Sequence, residues 1–579
     1  MRFRDALQIA QAPVSDAAER MTVDLLCGFT PDQFRTFLVA QLRTRTADRV
    51  IDGRVGLFGD LVGNLERAAV SGAAPFVVVP IEWADLDARL GVRGLGGWSP
   101  EALGNIVAGV EAQLVRITSA VERIAATSLL AVSLPTLPLP PVSWLPRIQA
   151  GLFEARLRAA VAEATVRLAG IDRVRVVDVQ VLDERSPLAE RHDVRAELTY
   201  GYPYTAAHAA ALSGIFATLL DPPAPKKGII TDLDDTFWRG ILGEVGVEQV
   251  SWDLEHHSQG HGLYQQLLKS LADAGVLIAV ASKNDQGRVD EAFRRTDLVM
   301  PASQIFPLTA NWGPKSASVA GILAAWNVGA DSVVFIDDSP LELAEVSAAH
   351  PAVTTLHFPK DDTGVVRLLE QLRDLFGKPA LSAEDAVRLE SLRRGAAVAD
   401  AMASADPEAF LSSIDPVLTV SFDVAPGNTR PLELINKTNQ FNLNGRRLSE
   451  PEWIAHLNDP EAFVATIGYR DKFGPLGTIA VVAGHRRGAT VQVAHWVMSC
   501  RAFSRRIEHA TVVLLLERFE AEALQLDVMA TARNAPLQEY LQLYRTGEAT
   551  LAPGFTVTRA QLSSVHPTLY HRIEDLGHG

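Results

Sequence analysis

An α/β fold built on parallel sheets is what this sequence predicts, and three observations predict it. Runs such as Phe76-Val77-Val78-Val79-Pro80, Gly228-Ile229-Ile230-Thr231 and Ser332-Val333-Val334-Phe335-Ile336 are apolar and β-branched without alternation. They read as strands buried on both faces. Long Ala/Leu/Arg-rich helical text separates many of these runs, as crossovers between parallel strands require. Several runs also end in a carboxylate or a hydroxyl, at Asp232, Ser282 and Asp337. The carboxyl ends of strands are where open parallel sheets bind ligands.

The elements follow in order. From about residue 21 to 222, Val23 to Leu26, Arg54 to Phe58, Phe76 to Pro80, Leu129 to Val132 and Val174 to Val177 read as short buried strands. Glu101 to Ala126 and Phe153 to Leu168 read as helices between them. The layer is parallel α/β. Pro222-Pro223-Ala224-Pro225-Lys226-Lys227 reads as a linker.

Past the linker, Gly228 to Thr231 runs into Asp232-Leu233-Asp234-Asp235-Thr236 and then Phe237-Trp238-Arg239-Gly240. Two carboxylates one residue apart at a strand end suit phosphoryl transfer. One can attack phosphorus or hold a metal, and the other can move a proton. Gly275 to Ala281 is a second strand, ending in Ser282-Lys283-Asn284. Asn311-Trp312-Gly313-Pro314-Lys315 offers a lysine just before a helix, and Ser332 to Ile336 ends in Asp337-Asp338-Ser339-Pro340. Taken alone, Ser282 and the Asp337-Asp338 pair also suit helix caps, and Lys315 a solvated surface lysine.

In this order the four elements resemble the motifs of the haloacid dehalogenase (HAD) superfamily. The resemblance implies roles residue by residue. Asp232 is the nucleophile, taking the phosphoryl group as an aspartyl-phosphate. Asp234 is the general acid and base, with its backbone carbonyl toward the metal. Ser282 holds a phosphoryl oxygen and Lys315 neutralises Asp232 and the growing charge. Asp337, with Asp338, completes an Mg²⁺ site with Asp232 and Asp234, a hard ion that wants oxygen ligands. Thr236, Trp238 and Asn284 are expected to face substrate. About fifty positions separate Asp232 from Ser282 and about thirty separate Ser282 from Lys315. Those gaps hold the sheet's own helices and no large cap domain, so a capless, Rossmann-like HAD core is expected over 226–376.

The text around the motifs is similar to the FkbH-like branch of that superfamily (subfamily IIIC). The branch includes enzymes that load a glyceryl unit from 1,3-bisphosphoglycerate onto an acyl carrier protein. Asp235 stands where the branch commonly has Asn, and Phe237 where it has Leu; neither change touches the implied chemistry. His256-His257-Ser258-Gln259-Gly260-His261 is less typical of it. Three close histidines invite a zinc reading, but no soft ligand lies nearby, and a polar flap near the mouth is preferred.

The resemblance extends to both flanks. Residues 1–222 resemble the SGNH-hydrolase-like domain often fused to this branch, where catalysis needs an early Ser and a late Asp-x-x-His. Here Leu61 follows Gly59-Asp60, and His208 has no Asp three residues before it. A non-catalytic scaffold or docking surface is expected. A helical connector is expected over 377–413. Over 414–579, Val417 to Phe422, Phe463 to Ile467, Ile479 to Ala483 and Val491 to Met498 read as strands of a mixed sheet, and Thr511 to Leu524 as an apolar helix. This region resembles a GNAT-like α+β acyltransferase domain, and Asn436 to Leu443 with Ser499-Cys500-Arg501 match the FkbH-like pattern.

The pyrophosphate loop of that domain departs from the GNAT pattern. Arg501-Ala502-Phe503-Ser504-Arg505-Arg506 lacks both glycines that let backbone N–H groups approach a diphosphate. Ser504 and Arg506 are expected to crowd the approach, so free coenzyme A is not expected there. Arg501 and Arg505 suit a phosphate on a pantetheine arm or a phosphoglycerate, or form an exposed basic helix start. Cys500, after a strand and beside Arg501, suits an acyl-carrying thiolate; the bland alternative is a small buried apolar residue.

Composition bounds the rest. The 579 residues allow three or four domains. The net charge of −15, with no basic run, argues against nucleic acid as a main partner. Two distant cysteines fit a reducing cytosol. No signal peptide is recognised and no apolar run reaches transmembrane length, so a cytoplasmic location is expected. The expected activity is Mg²⁺-dependent dephosphorylation of a three-carbon acyl donor with transfer to a carrier phosphopantetheine. The alternatives are a plain phosphatase on a phosphorylated biosynthetic intermediate and a non-catalytic assembly protein.

Overall fold

The computed structural model describes the chain apart from residues 14–19, 47–48, 96–99, 141–144, 379–388, 391, 394–406, 425–427, 439, 473, 488–489, 500–501, 504, 532–533, 546–550, 566 and 576–579. It divides into two compact units. One is 1–223 with 449–455, and the other is 224–448 with 456–579.

In the first unit, β1 (Arg20–Leu25), β2 (Val50–Val55), β3 (Phe76–Pro80), β4 (Leu129–Ser133) and β5 (Val174–Val176) form a parallel sheet ordered β2-β1-β3-β4-β5. Helices Pro100–Ala125 and Leu152–Ala169 supply crossovers, as their apolar text predicts. The unalternating strands are explained by two cores. Leu26, Val77, Val79, Leu130 and Val132 pack into one, and Val23, Leu25, Val78, Leu129 and Ala131 into the other. One expected strand shifts. Arg54 to Phe58 was to be extended, but β2 ends at Val55. The Asn64 side chain accepts from Leu57 N and donates to Leu57 O, both at 2.8 Å, taking up the groups a ladder would need.

The second unit opens with β6 (Gly228–Thr231), β7 (Leu277–Ser282), β8 (Ile305–Ala310), β9 (Val333–Asp337) and β10 (Thr354–His357), all parallel and ordered β10-β9-β6-β7-β8. Its faces alternate in the same way. Ile229, Ile278, Val280, Val334 and Ile336 point into one core, and Ile230, Leu277, Ala279, Val333 and Phe335 into the other. Helix Asp362–Phe376 adds Val365, Leu368 and Leu372 to the first of these, so it completes this core. No insert with a sheet of its own interrupts the described core, in keeping with a capless architecture. Most of the expected connector lies outside the described residues.

A third sheet follows: β11 (Val417–Ser421), β12 (Phe441–Asn442), β13 (Ala462–Asp471), β14 (Gly474–Arg487), β15 (Thr490–Met498), β16 (Ala523–Asp527), β17 (Pro553–Thr558) and β18 (Arg572–Asp575). Its order is β17-β16-β15-β14-β13-β11-β18, with β12 beside β15. It is mixed, since β15–β16 and β11–β18 are parallel pairs among antiparallel ones. The helix expected over Thr511 to Leu524 instead spans Ile507–Arg518. Glu520 takes a left-handed φ of 50°, which ends the helix and frees Ala523–Asp527 to pair as β16.

Candidate active site

The second sheet puts the expected residues on neighbouring strand ends. Strand β6 lies between β7 and β9, so the residues after β6 and at the ends of β7 and β9 meet at one edge. The connection leaving β6 runs toward β7 and the one leaving β9 runs the other way, toward β10, which opens a crevice. Asp232 (6% exposed), Ser282 (4%), Lys315 (4%) and Asp337 (0%) are all buried at that edge.

Lys315 is the hub. Its Nζ lies 3.0 Å from Asp232 Oδ1 and donates to Asp337 Oδ2 at 2.5 Å. Oxygens of Asp232, Asp337 and Asp338 fall within 4.8 Å of one another, the one such grouping among the described residues. Burial alone would lower the Lys315 pKa, but the charges of Asp232 and Asp337 outweigh it and hold the ammonium above its ordinary value. Asp337 is pushed up to about 6 by burial and then by the Asp232 charge, against the pull of Lys315 and the Ser339 N–H. Asp338 is raised by burial and by Asp232 and Asp235. Three crowded oxygen donors, two of them buried, with a cation beside them fit a hard divalent ion.

Asp234 is a separate device. Its carboxylate stands outside that grouping and is clamped on both oxygens. Oδ1 accepts from the Trp238 indole N–H at 3.0 Å and the Leu242 N–H at 3.1 Å, and Oδ2 from Asn284 Nδ2 at 3.0 Å. Burial raises its pKa; the three donors oppose that, and the Asp232 charge adds to it. A half-buried carboxyl with a raised pKa suits a group that must both give and take a proton.

These clamps correct three expectations. Trp238 is fully buried against Phe237 and Phe293, so it positions Asp234 and does not face substrate. Thr236 is also fully buried, and its Oγ1 accepts from the Asp338 N–H at 3.1 Å, fixing that turn. Asn284 is 3% exposed and bridges Asp234 to Ser282 Oγ, 3.1 Å away. Asp235 has a left-handed φ of 50°, and its Oδ1 accepts from Gly240 N. Asp, like Asn, tolerates that conformation.

The histidines do not converge. His256 Nδ1 bonds exposed Asp253 at 2.8 Å, while His261 stacks on Phe358 and points Nδ1 at the Thr236 carbonyl. No histidine joins a metal-type cluster among the described residues.

Of the expected third-sheet residues, Cys500 and Arg501 lie outside the described residues, as does Ser504. Arg505 is corrected: it is 6% exposed, 3.7 Å from the buried Asp471, and its guanidinium lies over the Tyr469 ring. A side chain so enclosed cannot present itself to a phosphate at the surface. Arg506 keeps a left-handed φ of 60°, the conformation a glycine would favour, and its side chain turns away to Glu408 and the Thr568 carbonyl. It therefore does not crowd the loop as expected. In the first unit, His208 is fully buried between Thr136 Oγ1 (2.9 Å) and Ser186 Oγ (3.0 Å) and is lowered to about 3 by burial. Among the described residues no carboxylate is hydrogen-bonded to it.

No family model matches the chain, and no curated protein does. Among solved structures it is similar to the N-terminal part of a Bacteroides fragilis protein that contains a phosphatase domain and was crystallised complexed with Mg. Identity is 17%, the match covers 66% of this chain and 100% of that one, and the TM-score is 0.51. That likeness shows a shared α/β fold. An uncharacterised Corynebacterium glutamicum protein (19% identity, 26% of this chain, 98% of that one) scores 0.19. A fungal multi-domain β-N-acetylglucosaminidase with a GCN5-related glucosamine N-acetyltransferase region (10% identity, 95% and 68%) scores 0.16. At such scores neither carries an argument. No described helix is long and apolar enough to cross a membrane.

Proposed function

We propose that the second sheet carries an Mg²⁺-dependent phosphatase or phosphotransferase of HAD type. The observation that carries this reading is Lys315 set between Asp232 and Asp337, beside an independently clamped Asp234. The Mg complex of the Bacteroides fragilis neighbour is consistent with it. Asp232, Asp337 and Asp338 would hold the ion, which supplies charge neutralisation for the transferring phosphoryl group.

The chain's own residues account for the remaining chemistry. An Asp232 carboxylate oxygen attacks phosphorus, the bond from phosphorus to the leaving oxygen breaks, and Asp234 gives its proton to that oxygen. Asp234 then takes a proton from water, whose oxygen attacks the aspartyl-phosphate. Inorganic phosphate leaves and the Asp232 carboxylate returns. Ser282 hydrogen-bonds a phosphoryl oxygen, and Lys315 balances charge that would otherwise build up on a buried edge.

The finer reading is FkbH-like. The donor is a 1,3-bisphosphoglycerate-like three-carbon acyl phosphate: the Cys500 thiolate attacks its carbonyl carbon and inorganic phosphate leaves, the carrier phosphopantetheine thiol then takes the glyceryl unit and frees Cys500, and the Asp232 site removes the remaining phosphoester, in secondary-metabolite assembly. Its support is the sequence pattern at Asn436 to Leu443 and Ser499 to Arg501. The plain phosphatase is the second reading, and the enclosure of Arg505 favours it, because one of the two arginines assigned to the carrier phosphate is occupied. Phosphate release and intact carrier mass, followed with candidate phosphoglycerates, Mg²⁺ and carrier protein, separate the two. Carrier gain that is lost in Cys500→Ser supports transfer; phosphate release with no carrier gain leaves the phosphatase. Release that is undiminished in EDTA contradicts both.

A further inference from the structure

We propose that a cavity at the carboxyl edge of the first sheet is a non-covalent binding site for an elongated amphiphile. Its head is a hydrogen-bond donor, an amine or a hydroxyl, and its tail is an anion held at the mouth. The inference does not depend on the phosphoryl-transfer reading.

Topology places the cavity. Strand β1 lies between β2 and β3, so the loops leaving β1 and β3 part there, and a crevice opens between them. The space measures about 1300 Å³ and is lined by Gly28 after β1, Phe58 after β2, Glu82 and Asp85 after β3, and Leu139 after β4. Gly28 and Asp85 are fitted to each other: a Cβ on residue 28 would fall 1.7 Å from Asp85 Oδ1. The glycine thus lets a carboxyl oxygen sit at the floor.

The floor asks for a donor. Asp85 Oδ2 accepts from Glu82 N at 2.8 Å, and no hydrogen bond of Oδ1 is found among the described residues. Glu82, by contrast, is satisfied by Thr136, Leu137 N and Tyr204 OH. Burial, helped by the neighbouring Glu82 charge, pushes Asp85 up to about 7. Among the described residues no cation sits beside it, so a ligand amine or hydroxyl would supply what the fold withholds.

The walls and mouth specify the rest. Phe29, Phe58, Trp83 and Leu139 make an apolar body. Arg93, Arg147 and Arg158 line the same space and are exposed, and none of them is in an ion pair among the described residues. Arg93 lies over the Phe58 ring, 5.8 Å from its centroid. No Ser, Thr, Cys, Tyr or Lys is among the described lining residues, so no hydroxyl, thiol or amine side chain is offered for covalent chemistry. Cys27 lies next to the site but is buried, donates to the Phe29 carbonyl and is pushed up by burial.

Titration calorimetry on the full chain tests this with ω-aminododecanoate, ω-hydroxydodecanoate, dodecanoate and dodecylamine as probes. At least one ω-substituted acid should bind with one-to-one stoichiometry and a Kd about tenfold or more below those of dodecanoate and dodecylamine. Which of the two binds identifies the head. Asp85→Asn should weaken an amine more than a hydroxyl, and the double variant Arg147→Ala, Arg158→Ala should weaken either. Phosphate release at the Asp232 site should be unchanged in all of these. Equal affinity for all four probes, or no binding by any, would overturn the proposal. So would ω-acid affinity indifferent to both variants. Should Asp85→Asn fail to fold, the four-probe comparison on the unaltered chain decides alone.

Discussion

The two parallel sheets make a controlled comparison. Both place β-branched strands between two cores, and both bring buried carboxylates to the carboxyl edge where the connections from neighbouring parallel strands part. They differ in what stands beside the acids. In the second sheet, Lys315 reaches two carboxylates and a helix start and loop clamp a third. In the first, Glu82 and Asp85 have no cation, and burial pushes both up to about 7. Position on the sheet gives an acid its opportunity; the cation beside it sets its chemistry. On the reading proposed, the second edge charges and discharges a nucleophile, and the first only holds a ligand.

The largest effect should come from Asp232→Asn, which keeps shape and removes the nucleophile. Phosphate release from a small phosphoester should fall by roughly a thousandfold or more, with circular dichroism unchanged. Lys315→Met should come next, because it turns the second edge into a version of the first. Removing one partner of a buried ion cluster costs about 3–5 kcal/mol at neutral pH. With the cation gone, Asp337 loses the charge that opposes its upward shift and holds its proton more tightly in the folded chain. The lost stability should therefore return as pH falls and it protonates, as denaturant unfolding at stepped pH would show.

Two smaller effects sharpen the first edge. Gly28→Ala puts a methyl against Asp85 Oδ1 and should cost about 1–3 kcal/mol, read by denaturant unfolding. Asp85 has a folded pKa raised from 3.8 to about 7. Its contribution to stability is thus present at low pH and lost as pH rises from about 4 through about 7. Its partial solvent contact reduces the loss to about 1–2 kcal/mol. Asp85→Asn, which never ionises, should lack that fall, and hydrogen exchange in β3 and β4 would follow it.

Much of this was legible in the sequence where function travels with local pattern. Asp232, Ser282 and Asp337 are strand-end residues, and an unalternating apolar run announces the strand. Side-chain aim was not legible. Trp238 and Asn284 read as substrate-facing because they neighbour the motifs. Yet Trp238 folds back within its own turn, and Asn284 meets Asp234 across 50 positions. Thr236 meets the Asp338 backbone across 102. Arg505 looked like a surface cation because its partner Asp471 ends a strand whose depth no local signal gives. Glu82 and Asp85 gave no signal either: they open a short helix, and only the sheet order shows what they face.

The central claim is that Asp232 takes up a phosphoryl group while Lys315 and the carboxylates around it balance the charge. Acid-quenched peptide mass spectrometry, after brief mixing with a phosphoester and Mg²⁺, tests it most directly. The account predicts a phosphoryl adduct on the peptide carrying Asp232, abolished in Asp232→Asn and sparse when Mg²⁺ is withheld. Phosphate release at full rate with no adduct, or an adduct that persists in Asp232→Asn, would contradict it.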